Sequence, residues 1–227
     1  MLKSLITLKR SLEYKSLILQ ICRDESELTE LGRLTSDFFS RDTVEVAKNL
    51  LGRYLIKKTK KGDIIGKIVE VEAYLGPNDK ACHAYNYKKT EKTEVMYMKP
   101  GTFYVYYIYG VYFCLNVITE PEGMPCAIFI RKLFPIKGIE LMKKNRTVKI
   151  GKDFKNLIDG PSKLCMAFNI TKEEYNGKDS CAKSSTLYFV EGKNITDKKI
   201  SLHKRIGIDY AEEDKDRLLR FTLEQKV

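Results

Sequence analysis

Apolar residues recur at roughly helical spacing through the opening stretch MLKSLITLKRSLEYKSLILQICR, and again after Asp42-Thr43, where Val44, Ala47 and Leu51 share one face. Asp42-Thr43 caps that second helix and Gly52 stops it. The pattern then changes to strands. Tyr54–Lys58 and Ile64–Tyr74 read as two, joined by a basic turn around Lys60, Lys61 and Gly62. Pro100-Gly101 turns the chain into the strongest strand signal, Thr102–Val117, which Gly110 interrupts. Ala127–Leu133 is a further short strand, and Leu187–Val190 and Arg220–Leu223 complete the β content. Ile139–Arg146 and Ser162–Phe168 read as helices, the second opened by Gly160-Pro161. Strands and helices that do not alternate regularly predict an α+β fold with a mainly antiparallel sheet. Residues 34–227 form one domain behind an N-terminal extension, residues 1–33, and no repeat is visible.

Composition narrows the class. At 227 residues, 43% hydrophobic and 31% charged, the chain is neither disordered nor membranous, and its apolar runs are too short to span a bilayer. The extension carries Lys3, Lys9, Arg10, Lys15 and Arg23 against Glu13 alone, which suits an organellar transit segment, an ordinary helix or an unused upstream start. The six cysteines form no C-x-x-C pair and the two histidines, His83 and His203, lie far apart. That disfavours a structural zinc site and a zinc deaminase, and reads as buried thiols in a reducing compartment.

Candidate chemistry sits on two strands. Glu70, Glu72 and Tyr74 alternate onto one face of the first, opposite Val69, Val71 and Ala73. Two carboxylates and a tyrosine also fit the wet side of a sheet, but Tyr74 leads through Gly76-Pro77 to His83, a common way to assemble a site. The second strand lies in Tyr97–Phe113, which holds eight of the 24 Tyr and Phe. Alternation gives Tyr104, Tyr106 and Ile108 one face and Tyr107 and Tyr109 the other. Phenols on both faces suit a nucleobase, a flat π-surface with a hydrogen-bonding edge, better than a plain core strand.

The net charge is +11, and Arg131–Lys155 holds nine basic residues against Glu140 and Asp153. One such run is usually a solvated face, but with the second cluster Lys57, Lys58, Lys60, Lys61 and Lys67 beside an aromatic strand it reads as a phosphate track. Lys99, Lys143, Lys144 and Lys163 are candidate phosphate contacts, Lys163 at a helix N-terminus.

Taken together, the run Ile68 to Pro77, then Asp79 and His83, Met98 to Thr102, Tyr104-Val105-Tyr106, Ile108-Tyr109-Gly110 and Tyr112 to Asn116 resemble the mammalian-type 3-methyladenine (alkyladenine) DNA glycosylases. Arg131 and Gly160-Pro161-Ser162-Lys163-Leu164 continue the pattern in order. The resemblance implies a single α+β domain around a curved antiparallel sheet with peripheral helices. It also implies a monofunctional base-excision enzyme without metal or other cofactor. Glu72 is then the general base that activates water, and Arg131 helps hold that water. Tyr74, His83 and Tyr106 line the pocket for the flipped base, and Asn116 disfavours guanine by crowding its amino group. Tyr109 fills the duplex where the nucleotide has left. The implied partner is double-stranded DNA containing damaged purines, met by a monomer away from any membrane. Its compartment is wherever DNA resides: bacterial cytoplasm, or the nucleus or an organelle of a eukaryote. Against the mammalian enzymes the Glu120–Pro125 loop is longer and Thr90–Val95 is less basic.

Those residue types suit N-glycosidic hydrolysis, because a carboxylate stabilises oxocarbenium character on the sugar while it deprotonates water. Alkylated purines already carry positive charge and leave readily, whereas a neutral lesion such as hypoxanthine needs protonation, and no dedicated acid is obvious. Two other classes stay open: a metal-dependent nuclease using Glu70, Glu72 and Asp79, and a non-catalytic module that binds damaged DNA.

Overall fold

Strand β2 (Ile64–Tyr74) is the axis of the molecule. Strand β5 (Cys126–Lys137) runs antiparallel along its whole length. On the other side its first half pairs with β1 (Tyr54–Lys57) and its second half with β8 (Arg220–Leu223). The computed structural model describes residues 31–147, 156–192 and 199–223. Among these residues the sheet has eight strands in the order β3-β4-β5-β2-β1-β6, with β8 beside β2 and β7 beside β8. The remaining members are β3 (Phe103–Ile108), β4 (Tyr112–Thr119), β6 (Leu187–Val190) and β7 (Ile200–His203), and every pairing is antiparallel. The α+β expectation is met.

One face of the sheet is packed by helices. Helix α1 (Ser36–Phe39) and α2 (Thr43–Leu50) precede β1; α3 (Ile139–Arg146), α4 (Pro161–Phe168) and α5 (Lys172–Tyr175) follow β5. In α2 the Asp42 carboxylate accepts the Glu45 N–H at 2.9 Å, and Val46, Ala47 and Leu50 are buried. Helix α4 begins with Pro161, whose missing N–H costs nothing there, and ends at Asn169 with φ 51°. Their apolar faces join Val71, Ala73, Phe103, Val105, Leu115, Val117, Ile128 and Ile130 in one core. The opposite face carries a smaller cluster in which Cys82, Ala84, Val95 and Met96, from the chain after β2, cover Tyr104, Ile118 and Ala127. No helix among the described residues is long and apolar enough to cross a membrane.

The structure departs from simple alternation in three places. The register of β2 against β5 shifts on both sides of Glu70, so Val69 and Arg131 are extra residues of paired bulges. Ile68 and Val71 both enter the core, and Ile68 takes the place expected of Val69. The Thr102–Val117 signal is two strands: Tyr109 (φ 54°) and Gly110 (φ 67°) adopt left-handed conformations and reverse the chain into the β3–β4 hairpin. Strand β5 runs past Leu133 because Pro135 lies opposite Gly66 beside a register shift, where a ladder N–H is dispensable.

Leu31 packs beside Ile56, Ile65 and Tyr188, and Arg33 bridges to Val190, so the last residues of the extension are tied to the β6 edge. Residues 1–30 lie outside the described residues, as do Lys149, Lys152 and Lys155 of the basic stretch. Cys82, Cys114, Cys126 and Cys165 are buried free thiols, and Cys181 is partly so.

Candidate active site

Ladder pairing aligns Tyr104, Asn116, Phe129, Glu72 and Arg220 in one row across β3, β4, β5, β2 and β8. Paired residues of antiparallel strands point to the same side, about 4.8 Å apart from strand to strand. The row therefore carries a carboxylate, an amide and aromatic rings on the face away from the helices.

Glu72 is 0% exposed. Its Oε1 accepts the Ile206 N–H at 2.9 Å and lies 3.2 Å from Arg131 Nη1; its Oε2 accepts the Tyr74 hydroxyl at 3.0 Å. Burial pushes the carboxyl above the usual range, against the opposing pull of Arg131, the Ile206 amide and Tyr74. Burial, and then the Glu72 charge, hold the Tyr74 phenol far above its ordinary value, so it remains a donor. A carboxylate offers about four acceptor positions. Each oxygen accepts one hydrogen bond, and Arg131 is ion-paired with Oε1, which leaves acceptor capacity on Oε2. The bulge at Arg131 brings its guanidinium over the Phe129 ring at 5.5 Å, with Nε 3.1 Å from Glu70 Oε1. Arg220 Nη1 reaches the same Glu70 oxygen at 3.2 Å.

A second group converges from the loop after β2. His83 Nδ1 lies 2.9 Å from the Tyr104 hydroxyl, and its ring meets Tyr106 edge-on at 4.7 Å. Burial, then Lys92 and Lys88, push His83 down to about 4, so the ring is neutral near pH 7. Tyr74 packs in the same cluster as Tyr104 and Tyr106. Asn116 is buried and donates from Nδ2 to the Tyr104 carbonyl at 3.0 Å, which fixes its amide.

The structure thus brings together Glu72, Arg131, Tyr74, His83, Tyr106 and Asn116. Tyr109 stands apart at the hairpin tip, 85% exposed, with Tyr107, Val111 and Tyr112 exposed around it. The candidate phosphate lysines are scattered. Lys99 pairs with Asp179 at 2.7 Å, Lys143 with Glu140 at 2.7 Å and Lys163 with Asp159 at 2.8 Å. Lys144 is exposed on α3. Glu70, Glu72 and Asp79 are each taken up by arginine, and no cluster of three His, Cys, Asp or Glu suited to a metal forms among the described residues.

Sequence reasoning missed the support beneath Glu72. Arg205 is buried and makes a two-pronged pair with Asp79 at 2.5 and 2.8 Å, while donating to the Ala73 carbonyl at 3.0 Å and to the Asp214 carbonyl at 3.3 Å. Its guanidinium lies 4.8 Å from the Tyr74 ring centre, and the next residue supplies the amide on Glu72. An arginine amid Ile206-Gly207-Ile208 is the only local signal of that role.

The profile of the methylpurine-DNA glycosylase family matches residues 37–227. Similar curated proteins include one of Clostridium novyi, 47% identical over 199 residues, covering 84% of this chain and 94% of that protein. Another, of Clostridium perfringens, is 48% identical over 196 residues, covering 83% and 94%. A third, of Clostridium acetobutylicum, is 47% identical over 194 residues, covering 83% and 93%. All three are provisionally named 3-methyladenine DNA glycosylases.

Proposed function

We propose, because this chain belongs to the methylpurine-DNA glycosylase family, that Glu72 activates the water that releases a damaged purine from duplex DNA. The chain is a monofunctional DNA glycosylase, an enzyme of DNA repair, and its partner is DNA. The similar proteins are bacterial, so the likeness to the mammalian-type enzymes is carried only through the matching residues.

The observation that carries the mechanism is a fully buried carboxylate that accepts two hydrogen bonds, pairs with Arg131 and keeps acceptor capacity on Oε2. A water bound there gives its proton to Glu72 as its oxygen closes on the sugar C1′. Burial raises the basicity of the carboxylate and strengthens its attraction for the oxocarbenium charge. Arg131 holds Glu72 and the water in line from the bulge. The extruded base stacks among Tyr74, His83 and Tyr106, whose polar edges read it, and Asn116 crowds the amino group of guanine. Tyr109 enters the gap in the duplex; an exposed aromatic on a tight hairpin suits that insertion. Lys99, Lys143, Lys144 and Lys163 exchange their acidic partners or water for phosphates. The substrates are alkylated or deaminated purines of the 3-methyladenine, 7-methylguanine, ethenoadenine and hypoxanthine class, handled by a monomer whose domain runs from about residue 34.

The test is incubation with lesion-bearing duplex oligonucleotides in EDTA, scoring free base and alkali-labile sites. Release of free base with strand breaks only after alkali is expected. Strand cuts before alkali, abolished by EDTA, would overturn this reading in favour of a nuclease.

A further inference from the structure

Lys92 is the sole cation of Thr90–Val95 and belongs to none of the roles assigned above. It is exposed, yet its Nζ lies 3.4 Å from His83 Nε2 and 5.0 Å from the centre of the Tyr106 ring. An ammonium can only donate, so Nε2 accepts and Nδ1 carries the proton offered to Tyr104. A positive charge is thereby held against the two side chains read as walls of the base pocket. Lys92 also lines a cleft of about 280 Å³ beside β3, with Glu91, Tyr104, Tyr106 and Lys172.

We infer that Lys92 is a specificity-determining residue that favours release of neutral purine lesions over cationic ones. The inference rests on the base-pocket reading of His83 and Tyr106. When a neutral purine leaves, the C1′–N9 bond breaks and its electron pair goes to N9. The water oxygen forms the new bond to C1′, the water proton goes to Glu72, and the purine departs as an anion. Solvent then returns a proton to that anion while Glu72 gives up its own, which balances the hydrolysis. Negative charge grows on the base only as the bond breaks, so a fixed ammonium beside it lowers the barrier rather than merely tightening binding. A cationic 7-methylguanine leaves as a neutral molecule and needs no such charge. In the bound state Lys92 repels it. No acid aimed at the leaving base was apparent from the sequence, and a cation on the pocket wall supplies the electrostatic part of that task.

The experiment compares wild type with Lys92→Met and Lys92→Arg in the full chain, in single turnover, on duplexes containing hypoxanthine or 7-methylguanine. Loss of the charge is expected to slow hypoxanthine release by roughly tenfold or more. Release of 7-methylguanine should change by less than about threefold and its binding should not weaken, because the bound-state repulsion is gone. Lys92→Arg should restore most of the hypoxanthine rate, since the charge is kept. Equal slowing of both substrates would overturn the inference and assign Lys92 to the DNA backbone, as would an unchanged ratio of the two rates. If wild type frees 7-methylguanine and Lys92→Met leaves selectivity untouched, only the role of Lys92 fails. If wild type frees neither base, the base-pocket reading fails with it.

Discussion

Replacing Glu72 by Gln separates what this carboxylate does for chemistry from what it does to stability. The amide keeps the shape. Its oxygen can still accept from the Ile206 N–H beside Arg131, and its NH2 meets the Tyr74 hydroxyl, which can turn to accept. Arg131 keeps Glu70 as a partner. Removing the charge forfeits about 1–1.5 kcal/mol of charge assistance, but also removes a desolvation penalty of several kcal/mol for a buried ion. The direction of the Glu72 shift says that desolvation is the larger effect. A Glu whose folded-state pKa is raised binds its proton more tightly when folded. Its stabilising contribution is therefore fully present below its ordinary value of 4.5 and lost as pH rises through the raised one. At neutral pH the wild-type carboxylate is a net cost, and Glu72→Gln should melt at or above wild type, an advantage that shrinks towards pH 4.5. Excision should fall by about 10²–10⁴ or more, roughly 3–5 kcal/mol of barrier, while lesion binding persists. Single-turnover release, a gel-shift titration and thermal melts at the two pH values test this. Excision within about tenfold of wild type would refute Glu72 as the base. A stability loss above about 3 kcal/mol at neutral pH would refute the account of its burial.

Excision by wild type should rise with pH through a value above 4.5, the ionisation of Glu72, which a pH–rate profile on a cationic lesion reads directly. Tyr109→Ala should leave the melting curve within about 0.5 kcal/mol of wild type, because the side chain is exposed, yet weaken excision from duplex far more than from single strands. Asp79→Asn should cost about 3–5 kcal/mol by stranding Arg205; an unchanged denaturant midpoint would show that the pair does not anchor the fold. The chain has two histidines, so NMR can follow both. His83 should stay neutral from pH 8 to 5 and titrate near 4, and with its folded pKa below the unfolded value its contribution to stability fades as pH falls from about 6.5.

The sequence made β2, the hairpin aromatics and the helices α2, α3 and α4 legible because each has a clean period and a recognisable end. Glu72, Tyr74, His83, Arg131 and Asn116 were legible too, through motif order, and the fold brings them to one face. What escaped has a common physical origin. Strand β7 is four residues whose pairing with β8 is its main support, so its local pattern is weak. The paired bulges at Val69 and Arg131 depend on two strands far apart in sequence. The Asp79–Arg205 pair spans 126 residues, and neither partner differs locally from a surface charge. The basic stretch read as one phosphate track divides instead between β5, α3 and residues outside those described.

The way β2 is flanked has a consequence for how such a chain is made. Its first half is covered by β1, close by in sequence, but its second half, with Glu72, waits for β8 and for the Ile206 amide some 134 residues downstream. A ribosome emits this chain from one end, so Glu72 has Tyr74 and Arg131 early but gains the Ile206 amide and its flanking strand β8 only late in synthesis. A chain cut short before Ile206 would keep the pocket residues of β2 and β3 but lack one of the two hydrogen bonds on Glu72 and the strand beside it.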